Sequence, residues 1–187
     1  MERYTLYVDG GSRGNPGPAG YGAVIVDAGG QEHDRLMGAL SKKTNNEAEY
    51  LGLIAGLKAL RAIPARRVLV RADSELMVRQ MQGRYQVRSP QLRPLYAEAK
   101  ELAGEFDAFE IEHIPRERNH EADRLANLAM DRAAAGKTAA AGASPPSGAP
   151  ARRTTPEFIA GVIEAGAVRL LDAPPWPEGT RVRVRKA

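Results

Sequence analysis

Four acidic residues stand at positions from which their side chains could converge. Asp9 ends one predicted strand and Asp73 ends another. If these strands are adjacent and parallel, their carboxyl ends meet at the edge of the sheet where the sites of open α/β sheets form. Glu49 falls in the first turns of an apolar helix, and Asp123 falls in the first turn of a last helix. Four carboxylates without evident cationic partners favour divalent cations on oxygen ligands.

Each acid also has an ordinary structural explanation. Asp123 could complement the dipole of its helix, and Asp9 could start an Asx-type turn into the two glycines that follow it. Glu49 fits such an explanation least, because its helix offers little polar surface. Spacing alone therefore leaves the catalytic and the structural interpretations open.

Hydrophobic periodicity and capping residues predict the elements that must position these acids. The helix that carries Glu49 has a ridge of small residues, which predicts close packing against a sheet. In chain order the predicted elements are strands 3–9, 20–27 and 31–40, a helix from Thr44 to about Ala62, strand 66–73, a helix from Ser74 to about Met81, a helix with Ser89 as N-cap and Pro90 at N1, strand 109–115, and a helix with Asn119 as N-cap. This order predicts an α/β fold in which a mixed sheet, begun by an antiparallel meander of three strands, carries helices on its faces.

The composition changes after residue 133. Residues 1–133 hold 19 basic and 19 acidic residues, so the net charge of +4 comes from the rest of the chain. Residues 134–155 are rich in Ala, Gly and Pro and are predicted to form a flexible linker. Residues 156–187 are predicted to form a small, basic, β-rich module, whereas the body is expected to be monomeric.

Composition also limits the chemistry. The chain has no cysteine, so disulfides and thiolate metal sites are excluded. No apolar run is long enough to span a bilayer and no signal peptide is evident, so we expect a cytoplasmic protein without a membrane partner.

Four segments carry a resemblance to a known family. YVDGGSRGNPGPAGYG, TNNEAEYLGLIAGL, VRADSELMV and NHEADRLANLA occur in the order and approximate spacing of the type 1 ribonuclease H family, which the sequence resembles over residues 3–132. The resemblance implies a ribonuclease H-like fold: a five-stranded mixed sheet with helices on both faces, in which strands 4 and 5 run parallel to strand 1. It also implies endonucleolytic hydrolysis of the RNA strand of RNA–DNA hybrids, which leaves 5′-phosphate and 3′-hydroxyl ends.

The resemblance assigns roles to particular residues. The four carboxylates that bind two Mg²⁺ ions, with Mn²⁺ as an alternative, match Asp9, Glu49, Asp73 and Asp123. The residues matched to contacts with the hybrid are Gly10, Gly11, Ser12, Arg13, Asn15, Thr44, Asn45 and Asn46. Thr44 and Asn46 match positions that hold a phosphate of the DNA strand. The others, together with Glu49, match positions that sense the RNA 2′-hydroxyls. Asn119 matches a position beside the metal cluster, and His120, near Asp123, is a candidate accessory residue.

Two segments depart from the family pattern. The segment 83–91 (GRYQVRSPQ) is too short for the basic protrusion of many members, and Arg84, Arg88 and Arg93 are expected to provide a smaller basic patch. The connection HIPRERNHEAD leaves no room for a mobile loop that carries a product-release histidine in many members. The alternative functions are non-catalytic binding of hybrids or double-stranded RNA, and a DNA nuclease of the same fold.

Overall fold

The computed structural model of the protein describes residues 2–136, 161–164 and 167–170. Residues 2–136 form a five-stranded sheet of order β3-β2-β1-β4-β5 with flanking helices. The elements are β1 (Glu2–Ser12), β2 (Gly17–Val26), β3 (Glu32–Lys43), α1 (Asn45–Arg61), β4 (Ala65–Ala72), α2 (Glu75–Met81), α3 (Leu92–Gly104), β5 (Ala108–His113) and α4 (His120–Ala134). The first three strands are antiparallel neighbours, and β4 and β5 run parallel to β1. The predicted fold class is confirmed.

The main hydrophobic core lies between the sheet and α1. Leu6 and Val8 of β1 are fully buried and belong to one apolar cluster with Leu53 and Leu57 of the helix. The ridge of small residues predicted for α1 does bring the helix close to the sheet. A Cβ atom built on Gly56 would lie 2.6 Å from the side chain of Leu6.

The opposite face of the sheet is covered by α4, which packs across β2 and β3. A Cβ atom on Gly22 of β2 would lie 2.3 Å from the carbonyl oxygen of Ala122 and 2.7 Å from the backbone nitrogen of Ala126. Both contacts are with backbone, so only glycine allows this separation between strand and helix. None of the helices in the described part of the chain has the length and apolar character needed to span a bilayer.

The predicted end of the first strand at Asp9 is wrong. β1 continues to Ser12 because Asp9 through Ser12 pair with Gly22 through Ala19 of β2. β2 likewise begins at Gly17, so the connection between the two strands is limited to residues 13–16. Gly10 and Gly11, which an Asx-type turn at Asp9 would have placed in a turn, lie in paired strand, since the partner strand supplies the hydrogen bonds that keep the backbone extended.

The predicted start of the third helix is also wrong. The carbonyl oxygen of Ser89 accepts hydrogen bonds from the backbone of Leu92 and Arg93, each at 3.2 Å, but the regular helix begins only at Leu92. Pro94 lacks an N–H group and cannot donate to the carbonyl of Pro90, which interrupts the first turn of helical hydrogen bonds. Pro90 suits the first turn of a helix, but the effect of Pro94 was not considered in the prediction.

The second compact unit of the chain, Pro146–Ala187, contains the strands β6 (Gly161–Glu164) and β7 (Ala167–Leu170). These two strands pair antiparallel. The remainder of the predicted module 156–187, and residues 137–155 of the predicted linker, lie outside the described residues. The domain boundaries therefore stay predictions.

The contact between β2 and α4 predicts a large loss of stability for Gly22→Ala. The added methyl group must push the helix backbone away from the sheet, and overpacking of this kind costs about 1–3 kcal/mol. Gly104→Ala is the matched control, because no atom lies within 4 Å of a Cβ atom at that position. Urea unfolding of the full chain measures both, and equal effects of the two substitutions would contradict the proposed close contact.

Candidate active site

Strand register brings Asp9 and Asp73 together. The last parallel pair between β1 and β4 joins Val8 to Ala72. Asp9 follows Val8 and Asp73 follows Ala72, so both acids lie at the same edge of the sheet. Each is half-buried, as expected for residues that follow buried core positions.

Glu49 reaches the same edge because α1 touches the backbone of β1. A Cβ atom on Gly10 would lie 2.4 Å from the carbonyl carbon of Ala48 and from the nitrogen of Glu49. The glycine next to Asp9 therefore allows the helix to carry Glu49 against the strand. Glu49 is half-buried and accepts a hydrogen bond from the hydroxyl group of Ser74, the N-cap residue of α2.

Asn119 links the start of α4 to the two acidic strands. Its side-chain nitrogen donates to the carbonyl oxygen of Val8 and to Oδ1 of Asp73, both at 2.9 Å. Asn119 is the N-cap of α4, as predicted, and its carbonyl oxygen accepts a hydrogen bond from the backbone nitrogen of Asp123 at 3.0 Å, whereas its side chain makes no capping hydrogen bond. Asn119 is only 1% exposed, and its Oδ1 has no hydrogen-bond partner among the described residues.

Asp123 lies half-buried in the first turn of α4, beside the guanidinium group of Arg116. Arg116 belongs to a short 3₁₀ helix, Arg116–Arg118, between β5 and α4. The hydrogen bond and the charge of Asp123 raise the pKa of Arg116, and the negative charges of Asp9 and Asp73 add to this effect. One cation therefore faces three of the four acids. His120 is exposed at the first position of α4.

The acids interact electrostatically with one another. Burial raises the pKa of Asp9 to about 7, with further contributions from the negative charges of Asp73 and Asp123. Burial likewise raises the pKa of Glu49 to about 8, and Asp9 and Asp73 add to this shift although the hydrogen bond from Ser74 opposes it. Asp9, Glu49 and Asp73 thus form one coupled cluster, which Asp123 joins through its interaction with Asp9.

The donor set fits a divalent cation that prefers oxygen ligands. Carboxylate groups are hard donors of the kind that Mg²⁺ and Mn²⁺ take, whereas Asn119 turns its side-chain nitrogen toward Asp73. Within the described residues, however, no three His, Asp or Glu side chains are grouped closely enough to hold an ion as they stand. Glu49, Asp73 and Asp123 are bonded to the protein donors named above, which stabilise part of the charge that a cation would otherwise balance.

The residues predicted to contact nucleic acid lie around the N-terminal end of α1. Oδ1 of Asn45 accepts hydrogen bonds from the backbone nitrogen and the hydroxyl group of Ser12, at 2.8 and 2.9 Å. The backbone nitrogen of Asn45 donates to Oδ1 of Asn15 at 3.2 Å. The connection between β1 and β2 is thereby fastened to the helix start that carries Thr44 and Asn46, while Gly10 is buried below it.

Arg13 is held away from this hydrogen-bonded group. Its guanidinium donates to Asp131 of α4 at 2.7 Å, and both side chains are largely exposed. Thr44 is occupied as well, because it forms a reciprocal capping box with Glu47. The backbone N–H groups of Asn45 and Glu47 are occupied by Asn15 and Thr44, so within the described residues the free donors of the first turn are the backbone N–H and the side-chain amide of Asn46.

Two residues of the site were missed by sequence reasoning. Ser74 was identified as a helix start only, and its contact with Glu49 depends on the packing of α2 beside α1. Arg116 was not identified from the sequence, whereas the histidines of the same connection were considered. An arginine so close to Asn119 and Asp123 in a short turn was the available signal.

Comparison with known proteins agrees with this geometry. The family described as reverse transcriptase-like matches residues 7–129. A bifunctional protein of Mycobacterium tuberculosis is 48% identical over 147 residues, which are 76% of this chain and 39% of that protein. This chain therefore spans less than half the length of that relative.

Solved structures are similar over the same region. RNase H1 of Halobacterium salinarum superposes with a TM-score of 0.67 at 41% identity, covering 69% of this chain and 98% of that one. LC11-RNase H1, from compost, was crystallised in complex with an RNA/DNA hybrid, and superposes with a TM-score of 0.66 at 43% identity over 70% of this chain and 99% of that one.

The sheet order, with acids just after the last parallel pair of β1 and β4, defines residues 2–136 as a ribonuclease H-like domain. The matches in sequence and structure are with type 1 enzymes of that class. The chain belongs to the type 1 ribonuclease H family, as its four motifs indicate.

The coupled acids predict that the metal-free protein loses stability between about pH 4 and pH 8. Folding raises the pKa of Asp9 from 3.8 to about 7 and that of Glu49 from 4.5 to about 8. In this window the folded state binds more protons than the unfolded state, so raising the pH favours unfolding. Mg²⁺ should therefore raise the Tm more near pH 8 than near pH 5. Thermal unfolding in EDTA and in Mg²⁺ at both pH values measures this difference.

Substitution of Asp9 tests whether these acids cause the pH dependence of stability. Asp9→Asn should make the Tm in EDTA less dependent on pH, whereas Glu101→Gln, which changes an exposed acid of α3, should leave the dependence unchanged. The coupling is refuted if both variants keep the pH dependence of the parent protein.

The buried position of Asn119 predicts a stability cost for Asn119→Ala. The carbonyl oxygen of Val8 and one oxygen of Asp73 each lose a donor, and an unsatisfied buried group costs about 1–3 kcal/mol. Asn127→Ala is the control, since Asn127 makes a single, partly buried bond to the carbonyl oxygen of Asp123 within α4. Urea unfolding of both variants should show the larger loss for Asn119→Ala, and a smaller loss there would contradict the bridging role.

Proposed function

We propose that this domain hydrolyses the RNA strand of RNA–DNA hybrids and leaves 5′-phosphate and 3′-hydroxyl ends. The observation that carries the proposal is the coupled cluster of Asp9, Glu49, Asp73 and Asp123 in a type 1 ribonuclease H domain. Support for the substrate comes from LC11-RNase H1, which binds an RNA/DNA hybrid and resembles this chain over most of its body.

The four carboxylates would hold two divalent ions, with Mg²⁺ preferred and Mn²⁺ as an alternative. When bound, such ions act as Lewis acids toward phosphate oxygens and lower the pKa of a coordinated water. The protein holds the carboxylates in place before any ion binds: β1 and β4 fix Asp9 and Asp73, and Ser74 orients Glu49. Asn119 restricts the rotation of Asp73 through its side-chain nitrogen.

Recognition of the hybrid would fall to the surface around the start of α1. Residues 10–13, Asn15 and Asn45 present backbone and amide groups, which can test for a 2′-hydroxyl because that group both donates and accepts hydrogen bonds. Thr44 and Asn46 lie where helix N–H groups favour a phosphate of the DNA strand. Ser12 and Asn15 are hydrogen-bonded to Asn45 at the start of α1. The groups that would contact the RNA strand and those that would contact the DNA strand are therefore joined to each other.

Asp9→Asn tests the metal assignment. We expect cleavage of a labelled hybrid in Mg²⁺ to fall by about 10³-fold or more, because the central carboxylate of the cluster loses its charge. Circular dichroism should show an unchanged fold. Cleavage at the parent rate in this variant would remove the assignment of Asp9 as a metal ligand.

The substrate preference is tested with matched duplexes of one sequence. Labelled RNA–DNA hybrid, double-stranded RNA and double-stranded DNA are incubated with the full chain in Mg²⁺ and in EDTA. We expect cleavage of the RNA strand of the hybrid in Mg²⁺ only. Cleavage of the DNA duplex would favour a DNA nuclease of the same fold, and tight binding of the hybrid without cleavage would favour a binding module.

A further inference from the structure

The segment between Glu75 and Glu98 contains four arginines and no acidic residue. This separation of charge is unusual in a body whose basic and acidic residues are equal in number. Arg84 and Arg88 take no part in the ion pairs of residues 2–136, whereas Arg79 pairs with Glu75. Positive charge without a partner on the protein is available to an anionic ligand.

The same segment supplies all the lining residues of an open cleft. The cleft has a volume of about 390 Å³ and is lined by Leu76, Arg84, Tyr85, Gln86 and Arg88. Leu76 is 39% exposed and Tyr85 is 47% exposed, so apolar and aromatic surface faces solvent beside the two arginines. Small-ligand sites have volumes of about 300–1,000 Å³, so the cleft is large enough for one nucleotide.

The ring of Tyr85 is held in a fixed orientation. The guanidinium carbon of Arg79 lies 5.1 Å from the centre of the ring, and Nη1 of Arg79 donates to the tyrosine hydroxyl at 2.8 Å. The backbone nitrogen of Tyr85 also donates to the carbonyl oxygen of Arg79 at 3.1 Å. Arg79 is itself fixed by Glu75. An aromatic ring oriented in this way can stack on a base at a low cost in side-chain entropy.

We propose that this cleft binds an unpaired nucleotide of a single strand that flanks the hybrid. The base stacks on Tyr85, and Arg84 and Arg88 contact the neighbouring phosphates. Inside a duplex both faces of a base are covered by adjacent bases, so an exposed ring can stack only on an unpaired or terminal base. A ring combined with unpaired cations is the pattern of single-strand sites.

The position of the cleft connects it to the acid cluster. Leu76 follows closely after Ser74 on α2, and the hydroxyl group of Ser74 donates to Glu49. On this proposal, a single strand that leaves a hybrid bound at the acids enters the cleft. This placement rests on the proposed function, but binding of a single strand to the cleft does not depend on cleavage.

Binding is measured with fluorescein-labelled dT12 and rU12 by fluorescence anisotropy, using the full chain in EDTA. We expect Tyr85→Ala to weaken binding about 10-fold, which is within the range for loss of one stacked base. Tyr85→Phe should keep affinity within about 3-fold, since it retains the ring. Arg84→Ala with Arg88→Ala should weaken binding and lower the salt dependence of log K by about 1.4.

Matched controls are available on the same domain. Leu128→Ala removes another exposed apolar side chain, and Arg3→Ala with Arg67→Ala removes two exposed charges at the end of β1 and β4 away from the acids. These variants should bind dT12 and rU12 like the parent protein. If they weaken binding as much as the cleft variants do, the effect is not specific to the cleft and the proposal is overturned.

A second measurement compares a blunt hybrid with hybrids that carry a single-stranded DNA or RNA extension, again in EDTA. An extension should increase the affinity of the parent protein and not that of Tyr85→Ala, and the two extensions show which strand enters the cleft. Equal weakening on blunt and extended hybrids would mean that the cleft contacts the duplex, which overturns the proposal. Single-strand binding that depends on Tyr85 in a protein that cleaves no hybrid would refute the proposed function and leave this inference standing.

Discussion

The carboxylates of Asp9, Glu49 and Asp73 repel one another across a half-buried edge of the sheet. Burial raises the pKa of Asp9 and of Glu49, and the neighbouring negative charges raise both further. Such an arrangement is unfavourable in itself, because a carboxylate removed from water loses solvation. It persists only because the elements that carry the acids are fixed by interactions elsewhere in the domain.

The interactions that fix these elements are made by the residues next to the acids in the sequence. Val8 precedes Asp9 and Ala72 precedes Asp73, and both apolar residues are buried in the main core. Alternation along a strand turns successive side chains to opposite faces, so burial of one residue determines where the next one lies. Gly10 completes the arrangement, since a side chain there would separate α1, and with it Glu49, from β1.

Much of this could be predicted from the sequence because it depends on local patterns. Alternation, capping residues and spacing predicted the order of the elements and a mixed sheet. The resemblance to the ribonuclease H family implied the parallel neighbours that place Asp9 and Asp73 together. Features that depend on distant partners could not be predicted in the same way. Asn119 resembles a helix cap locally, but its side chain bonds to Val8, 111 positions earlier. The glycines after Asp9 resemble a turn, but β2 extends them as a strand.

Net charge describes this body poorly at two places, although acids and cations form ion pairs over much of its surface. Asp9, Glu49, Asp73 and Asp123 gather at one edge of the sheet, and the cations of residues 76–97 lie in a segment without acids. A phosphate brought to the acid cluster without cations would meet several negative charges at short range, where the low dielectric strengthens repulsion. Divalent ions would reverse the sign of the local potential. The proposed metal and substrate therefore depend on each other: the acids that attract the ions exclude the phosphate until the ions are bound, and Arg116 alone, paired with Asp123, offsets only part of that charge.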